Sequence, residues 1–369
     1  MIKPISKLST ASYKHITKPI LFKFSPENVH DATIKSAKLS GKIVPLKGLI
    51  KASWAYQNPI LEQTIDGIFY KNPIGLAAGW DKDALAAPLM ESIGFGFTEV
   101  GSITQHSYKG NPGTRLWRLP KSKSIMVYYG LKNDGVDVIA DRLKKMSLNI
   151  PMGTNIAYTN SPTCNDDKSA IADYAYSFKK LANIGDYFTI NISCPNTYGG
   201  QPFNDKERLH KLLTVLDDIE TNKPVYIKLS PDISQKERRD IADLAFEHRV
   251  HGFICGNLTK NRQLTQIKDI NVPEQGGMSG KIVQDLSDEL IADMYKYSAG
   301  KKTIIGLGGV FDAQAAYKKL QAGANLVQLI TGLIYQGPQI VGQINKDLAE
   351  ILQKQKINNI SKISNKINI

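Results

Sequence analysis

A chain of 369 residues with 42% hydrophobic and 22% charged residues is too long for one small domain and long enough to bury a large core. Its formal charge is +13, and its three cysteines (Cys164, Cys194 and Cys255) are odd in number, widely spaced and without a CxxC pair. This composition argues against a disulfide framework and a zinc centre and fits a reducing compartment, while the lack of a run of roughly 18 apolar residues argues against a membrane-spanning helix.

In chain order, the first unusual region is residues 1–60. It holds ten lysines, no arginine, and only Glu27 and Asp31 as acids, a local charge of about +8. No small-residue cleavage site of a secretory signal follows the N-terminus. ITKPILFKF (16–24) and PLKGLIKASWAY (45–56) mix lysine with apolar patches and read as short amphipathic helices, with Trp54 and Tyr56 near one end. Such helices lie on an anionic membrane surface, form the mouth of a hydrophobic tunnel, or cap a larger domain. Basic charge also suits nucleic acid, but no recognition motif accompanies it.

From residue 72 onward, short apolar runs alternate with amphipathic stretches. Strands are expected near 73–78, 97–101, 151–155, 187–192, 225–229, 251–256, 302–306 and 325–329. Helices are expected over 82–93, 136–146, 169–182, 206–219, 235–248, 281–297, 313–322 and 338–354. Ser234 with Glu237 three residues on forms a capping-box signature, and Ala322-Gly323 closes a helix. Strand–helix alternation implies a parallel sheet, and eight such units favour an α/β fold of the (βα)8 TIM-barrel type over residues 61–353. No GxGxxG follows the first strand, against an open dinucleotide-binding sheet. Residues 1–60 form an N-terminal amphipathic helical extension, and 354–369 are expected to be a frayed basic tail. The six histidines form no ligand set in the sequence; His248 and His251 straddle a helix–strand junction, where a pair is ordinarily structural.

Barrel chemistry gathers at the C-terminal ends of strands. NPIGLAAGWDKDA (72–84) ends its strand in small residues that admit a flat ring, and then offers Lys82 to an anion. Asn155, Asn191 and Asn196 stand at or just past strand ends, where each presents a donor and an acceptor suited to a heterocycle with amide-like edges. Lys228 ends an apolar strand, and Asn257 follows the next. GGMSG (276–280) lies in a loop before a helix, and GLGGV (306–310) and TGLIYQGP (331–338) put glycine-rich turns after strands 7 and 8, where barrels cradle phosphate. A free cysteine is ordinarily a small buried hydrophobe. Cys194 instead stands among Asn191, Ser193, Asn196 and Thr197, ahead of Pro195, which points to a proton-transfer role in NISCPNT (191–197). Gly199 and Gly200 are placed to hinge a lid. Together these features describe a phosphate-bearing cofactor, lysines near a ring and asparagines around a planar substrate.

The series NPIGLAAGWDKD (72–83), GNPGTRLWRL (110–119), KNDGVD (132–137), NISCPNT, IKLSPD (227–232), GGMSG, GLGGV and LVQLITG (326–332) resembles dihydroorotate dehydrogenases of the membrane-associated, quinone-dependent class. FSPENVHDATI (24–34) is similar to a segment near the start of that class. The resemblance implies FMN as cofactor, oxidation of dihydroorotate to orotate in pyrimidine (UMP) synthesis, a quinone acceptor and a peripheral position on the cytoplasmic side of a membrane. It also implies FMN contacts from Ala78, Gly79, Lys82, Ser102, Asn155, Asn191, Lys228, Gly256, Gly280, Gly309, Ile330 and Thr331. Lys82, Asn191, Asn196 and Asn257 would hold the substrate, Cys194 would be the general base, and Arg118 matches an arginine near the quinone entrance.

The chain also departs from that pattern. The membrane class has serine as its base; cysteine belongs to the soluble classes, which use fumarate or NAD, and a thiolate forms more readily near neutral pH than an alkoxide. Val127 and Leu258 stand where the family has a substrate-binding asparagine and a threonine, and Ile330 where it has tyrosine. Each lost charge-assisted contact is worth about 1.5–3 kcal/mol. A paralogue acting on another cyclic amide therefore stays open as an alternative, as does a soluble electron acceptor.

Overall fold

The computed structural model describes residues 7–164, 166–197 and 200–363. Eight strands close into a parallel barrel in chain order: β1 (Ile74–Leu76), β2 (Phe97–Ile103), β3 (Met152–Ile156), β4 (Tyr187–Asn191), β5 (Val225–Leu229), β6 (Gly252–Cys255), β7 (Thr303–Leu307) and β8 (Leu326–Leu329), with β8 pairing to β1. All eight fall on the predicted apolar runs. Nearly every residue of these strands is buried, because strands in a helix-wrapped parallel barrel are covered on both faces.

The predicted helices lie between them, among them Ala87–Ile93, Val136–Leu143, Asp167–Leu181, Lys206–Asp217, Gln235–Glu247, Gln284–Tyr297, Ala313–Gln321 and Ile340–Lys354. Each turns a leucine, isoleucine or alanine stripe onto the barrel, as Leu209, Leu212, Leu213 and Leu216 do in Lys206–Asp217. The expected capping box is formed: the Ser234 hydroxyl and backbone pair reciprocally with Glu237.

The N-terminal end of the barrel is plugged. A hairpin, Gln63–Ile65 with Ile68–Tyr70, turns through Asp66 and Gly67 at positive φ. Tyr70 packs with Phe97, Tyr187, Tyr226, Ile254, Ile305 and Leu326, and the Tyr226 hydroxyl donates to Asp66 at 2.7 Å. Gly75 and Gly153 make room for this layer: a Cβ on either would lie 2.2–2.3 Å from the ring of Phe97 or Tyr187. With this floor closed, the ligand space described below opens at the other end of the barrel.

Beyond that hairpin, two further features were not predicted. A small antiparallel sheet, Leu116–Leu119, Ser124–Val127 and Gly277–Gly280, stands beside the C-terminal ends of the strands. GGMSG is thus partly strand rather than loop, and TGLIYQGP contains a short helix, Thr331–Gln336. The frayed tail is corrected for its described part. Ile357, Ile360 and Ile363 are buried against the β8 side of the core, because their spacing of three sets all three on one face. Asn359 also ties this segment to the Glu62 carbonyl at 2.9 Å. Residues 364–369 lie outside the described residues.

Between residues 7 and 54 the chain is mostly helical, in Lys7–Ser12, a π-helical turn Tyr13–Thr17, Lys18–Leu21, Pro26–Ser40 and Val44–Trp54. They are anchored by Glu27 pairing with Arg115, Lys51 with Glu91 at 2.9 Å, and the Tyr13 hydroxyl donating to the Ile334 carbonyl at 2.8 Å.

Candidate active site

The strand ends open into a cleft of about 1220 Å3, mouth included. Ala78, Gly79, Lys82, Ser102, Asn191, Cys194, Asn196, Lys228, Asn257, Gly280, Gly309, Ile330 and Thr331 all line it. Residues from every part of the barrel converge because each follows a strand end at the same level; Asn191 and Lys228, for example, are directly paired across β4 and β5. Three predicted site residues stand elsewhere. Asn155 is fully buried behind Ser102, whose hydroxyl it accepts. Gly256 serves the backbone: at φ +141, a Cβ there would meet the Leu307 carbonyl oxygen at 1.9 Å. Arg118 lines a second cavity.

The polar side chains form one relay from the barrel floor to the cleft. Glu99, fully buried, accepts Asn155 Nδ2 at 2.8 Å, and also Thr189, Tyr187 and Gln328 at 2.9–3.3 Å. Ser102 donates to Asn155 Oδ1 and accepts Asn191 Nδ2 at 2.7 Å. Asn191 Oδ1 accepts the Ser193 backbone and hydroxyl, and Asn257 Nδ2 reaches Ser193 Oγ at 2.7 Å. Satisfied at each link, such a network holds its members in single rotamers. Asn196 differs. Its Nδ2 donates to the Val127 carbonyl at 2.9 Å, but its Oδ1 is buried and has no protein partner. A buried acceptor left open costs about 1–3 kcal/mol, which a ligand N–H would recover.

Burial governs the charged groups. The Cys194 thiol is pushed up to about 11, chiefly by burial, against the opposing pull of the Asn196 backbone N–H, Lys228 and Lys260. Burial thus favours the protonated thiol, so a thiolate here has to be generated against that pull. Lys82 is pushed down to about 8 by burial and then by Lys132, and its ammonium lies 4.2 Å from the Tyr129 ring centre. Lys228 is likewise pushed down by burial, with Glu99 and Cys194 holding it up. Each lysine would gain from an anion placed beside it.

Gly309 forms part of the wall built by the ends of β7 and β8 and the side sheet. Its φ is +71, and a Cβ would sit 2.4 Å from Gln284 Cβ, so only glycine leaves that backbone open. Ser279 and Thr331 meet nearby, their hydroxyls 2.9 Å apart. Val127 and Leu258 adjoin one another: Val127 pairs with Gly277, and a Cβ on Gly277 would lie 2.6 Å from Leu258 Cβ. The two departures from the family pattern thus form one apolar patch beside Asn196. Ile330 faces Gly79, its Cδ1 3.8 Å from where a Cβ would stand. Of the lid glycines, Gly199 lies outside the described residues, and Gly200 has φ +75 with open space around it.

A second, mostly apolar cavity of about 1290 Å3 lies under the N-terminal helices, lined by Leu21, Phe22, Val29, Ala37, Ile50, Trp54, Leu89 and Phe95 among others. It shares His30, Trp80, Leu116, Ile125 and Ile334 with the first. Arg118 caps its helix end, donating to the Phe24 carbonyl at 2.8 Å and lying 4.5 Å over the Phe22 ring. His30 Nε2 is 2.9 Å from the Trp80 carbonyl oxygen; burial, then Lys82, push the imidazole down to about 4, so it is neutral at pH 7. Sequence reading missed His30, Tyr129, Glu99 and Asn111, whose Nδ2 holds the Asn196 carbonyl at 3.2 Å. Asn111 stood in view in GNPGTRLWRL without a role; the others carried no spacing signal.

Comparison with known proteins bears on the family and the fold. The family described as Dihydroorotate dehydrogenase matches residues 60–352. A protein of Christiangramia forsetii named dihydroorotate dehydrogenase (quinone) is 38% identical over 342 residues, covering 92% of this chain and 99% of its own. One of the same name from Trichormus variabilis is 36% identical, covering 95% and 97%. A crystal structure of DHODH from Eimeria tenella in complex with ferulenol superposes with a TM-score of 0.84 at 28% identity, covering 93% of this chain and 96% of that one. Its ligand-free form gives 0.83 at 29%, covering 93% and 100%.

Proposed function

The chain belongs to the dihydroorotate dehydrogenase family, and on that premise we propose that it oxidises dihydroorotate to orotate and delivers the electrons to a quinone. The observation that carries this reading is the pair of adjoining cavities: a polar cleft at the strand ends, sharing a wall with an apolar chamber under the N-terminal helices. A polar pyrimidine fits the first and an apolar quinone the second.

The cleft suits FMN. Gly309 and Gly280 leave backbone open where any Cβ would collide, and the half-buried Lys82 and buried Lys228 favour an anion. Ala78, Gly79, Lys82, Ser102, Asn191, Lys228, Gly280, Gly309, Ile330 and Thr331 would hold it. Asn155 and Gly256 would act from behind, by orienting Ser102 and by admitting the β7 backbone. When bound, FMN supplies a two-electron acceptor for the hydride that leaves the substrate.

The chain's own residues handle binding and the proton. Asn196 Oδ1 would accept a ring N–H, and Lys82 would pair with the substrate carboxylate. Asn191 and Asn257 would present their amides along the ring, held by Ser102 and Ser193. Cys194 Sγ would take the proton from the ring carbon, which requires the thiol to ionise first.

A peripheral membrane position follows the same logic. No described helix is long and apolar enough to cross a membrane. Among the described residues, seven of the thirteen exposed large hydrophobic residues lie between Ile16 and Leu49, interleaved with lysines. An apolar, basic surface at a tunnel mouth suits an anionic lipid headgroup layer.

The test is direct. The purified chain should carry FMN, bleach anaerobically with dihydroorotate, and recolour with a quinone analogue faster than with fumarate or NAD. A flavin that dihydroorotate fails to bleach would overturn the substrate assignment; recolouring only by fumarate or NAD would overturn the acceptor. Val127 and Leu258 favour a second reading, oxidation or reduction of a different cyclic amide, which bleaching by that compound but not by dihydroorotate would establish.

A further inference from the structure

We propose that His210, Glu247 and His248 bind one divalent transition-metal ion of the Zn2+ type on the outer surface of the barrel. The three stand apart from both cavities. His210 lies in helix Lys206–Asp217, Glu247 ends helix Gln235–Glu247, and His248 caps that end. One ligand atom from each lies within 4.8 Å of the others. Two imidazoles and a carboxylate, with a water completing the tetrahedron, are a donor set that zinc takes readily.

The stronger sign is the way His248 is held. Its side chain is 7% exposed, and its Nδ1 lies 2.7 Å from Asp217 Oδ2. Asp217 is itself fixed, because its other oxygen accepts the Arg249 backbone N–H at 3.2 Å. A carboxylate on Nδ1–H sets the tautomer and leaves the Nε2 lone pair facing outward, the orientation that metal-bound histidines receive from their carboxylate partners. Nε2 faces His210 Nδ1 at 2.9 Å. Without metal, a proton on one of these two nitrogens bridges them. With metal, both nitrogens must be free of protons, and His210 can carry its proton on Nε2. Nitrogens about 2.0–2.1 Å from a tetrahedral zinc lie roughly 3.3 Å apart, so the pair must open by only a few tenths of an ångström. His210 and Glu247 are exposed and able to make that movement. The ion would staple two neighbouring helices, the first of which follows the loop bearing Cys194 and Asn196.

The test uses the full chain with its flavin. After incubation with Zn2+ and dialysis, wild type should retain one zinc per chain and melt at a higher temperature than metal-free protein. His210→Ala, at an exposed position outside the catalytic cleft, should keep its flavin and turnover, bind zinc at least tenfold more weakly and show no thermal shift. Equal zinc retention by wild type and His210→Ala, or none by either, would overturn the proposal.

Discussion

Flavin reduction should accelerate with pH, because Cys194 must lose a proton before it can accept one. Burial holds the thiol at about 11. At pH 7, about four units lower, only on the order of one thiol in ten thousand is ionised, and forming the thiolate costs roughly 5 kcal/mol. If the thiolate is the base, each pH unit from about 7 to about 10 should raise the rate of flavin bleaching close to tenfold. Lys82, pushed down to about 8, loses charge in the same range and would bend the profile downward through weaker substrate binding. That effect belongs to the substrate-concentration dependence, so the limiting rate at saturation isolates Cys194. The assay is anaerobic stopped-flow bleaching of the bound flavin at saturating dihydroorotate. Cys194→Ala should lose about 10²–10⁴-fold of that rate while quinone still reoxidises the reduced flavin normally. Cys194→Ser should also be slower, with its rising limb displaced to higher pH. A limiting rate that is flat from about pH 7 to about pH 9, or an unimpaired Cys194→Ala, would refute the assignment.

Three further outcomes are expected. Val127→Asn with Leu258→Thr should restore polar contacts beside Asn196 and tighten orotate binding about tenfold, read from the orotate-induced flavin spectral shift; unchanged or weaker binding would count against the lost-contact argument. Gly309→Val forces a side chain onto φ +71 and against Gln284, so the purified protein should lose its FMN while far-UV circular dichroism stays native; full flavin content would refute the cradle. Glu99→Ala leaves four buried donors without their acceptor, at about 1–3 kcal/mol each, and should lower the urea midpoint sharply, with Glu99→Gln milder; equal stability of Glu99→Ala and wild type would show the relay to be dispensable.

What could be read from sequence, and what could not, follows from the range of each signal. The barrel strands were legible because each is a short apolar run between polar, amphipathic stretches. The side sheet was not, because Leu116–Leu119 and Ser124–Val127 are four residues each and their third partner, Gly277–Gly280, begins 150 residues after Val127. The strand-end asparagines were visible as chemistry, yet nothing in sequence says that Asn155 is spent on Ser102 and Glu99 while Asn196 Oδ1 stays open. Cys194 was legible as a position, but its ionisation depends on burial by residues far away in the chain. His210 and His248, 38 residues apart, meet only because adjacent helices of the outer ring bring them together.

The N-terminal segment shows how one amphipathic pattern serves two surfaces. In helix Pro26–Ser40, Val29, His30 and Ala37 face the apolar chamber, while Leu39 is 63% exposed and Lys35 and Lys38 point to solvent. A soluble cap would need only the inward stripe, and its outer face would be polar. The neighbouring N-terminal segments likewise leave Ile16, Ile20, Phe24, Val44 and Leu49 exposed, at a cost in solubility. That cost is offset if the same face rests on lipid, the phase in which a quinone is dissolved. The chamber beneath then receives quinone laterally, and His30 and Trp80, which border both cavities, mark where its head would approach the flavin side. Membrane binding and acceptor choice are on this view one property, so vesicles that recruit the chain should also raise its turnover with a long-tailed quinone and leave turnover with a short soluble analogue unchanged.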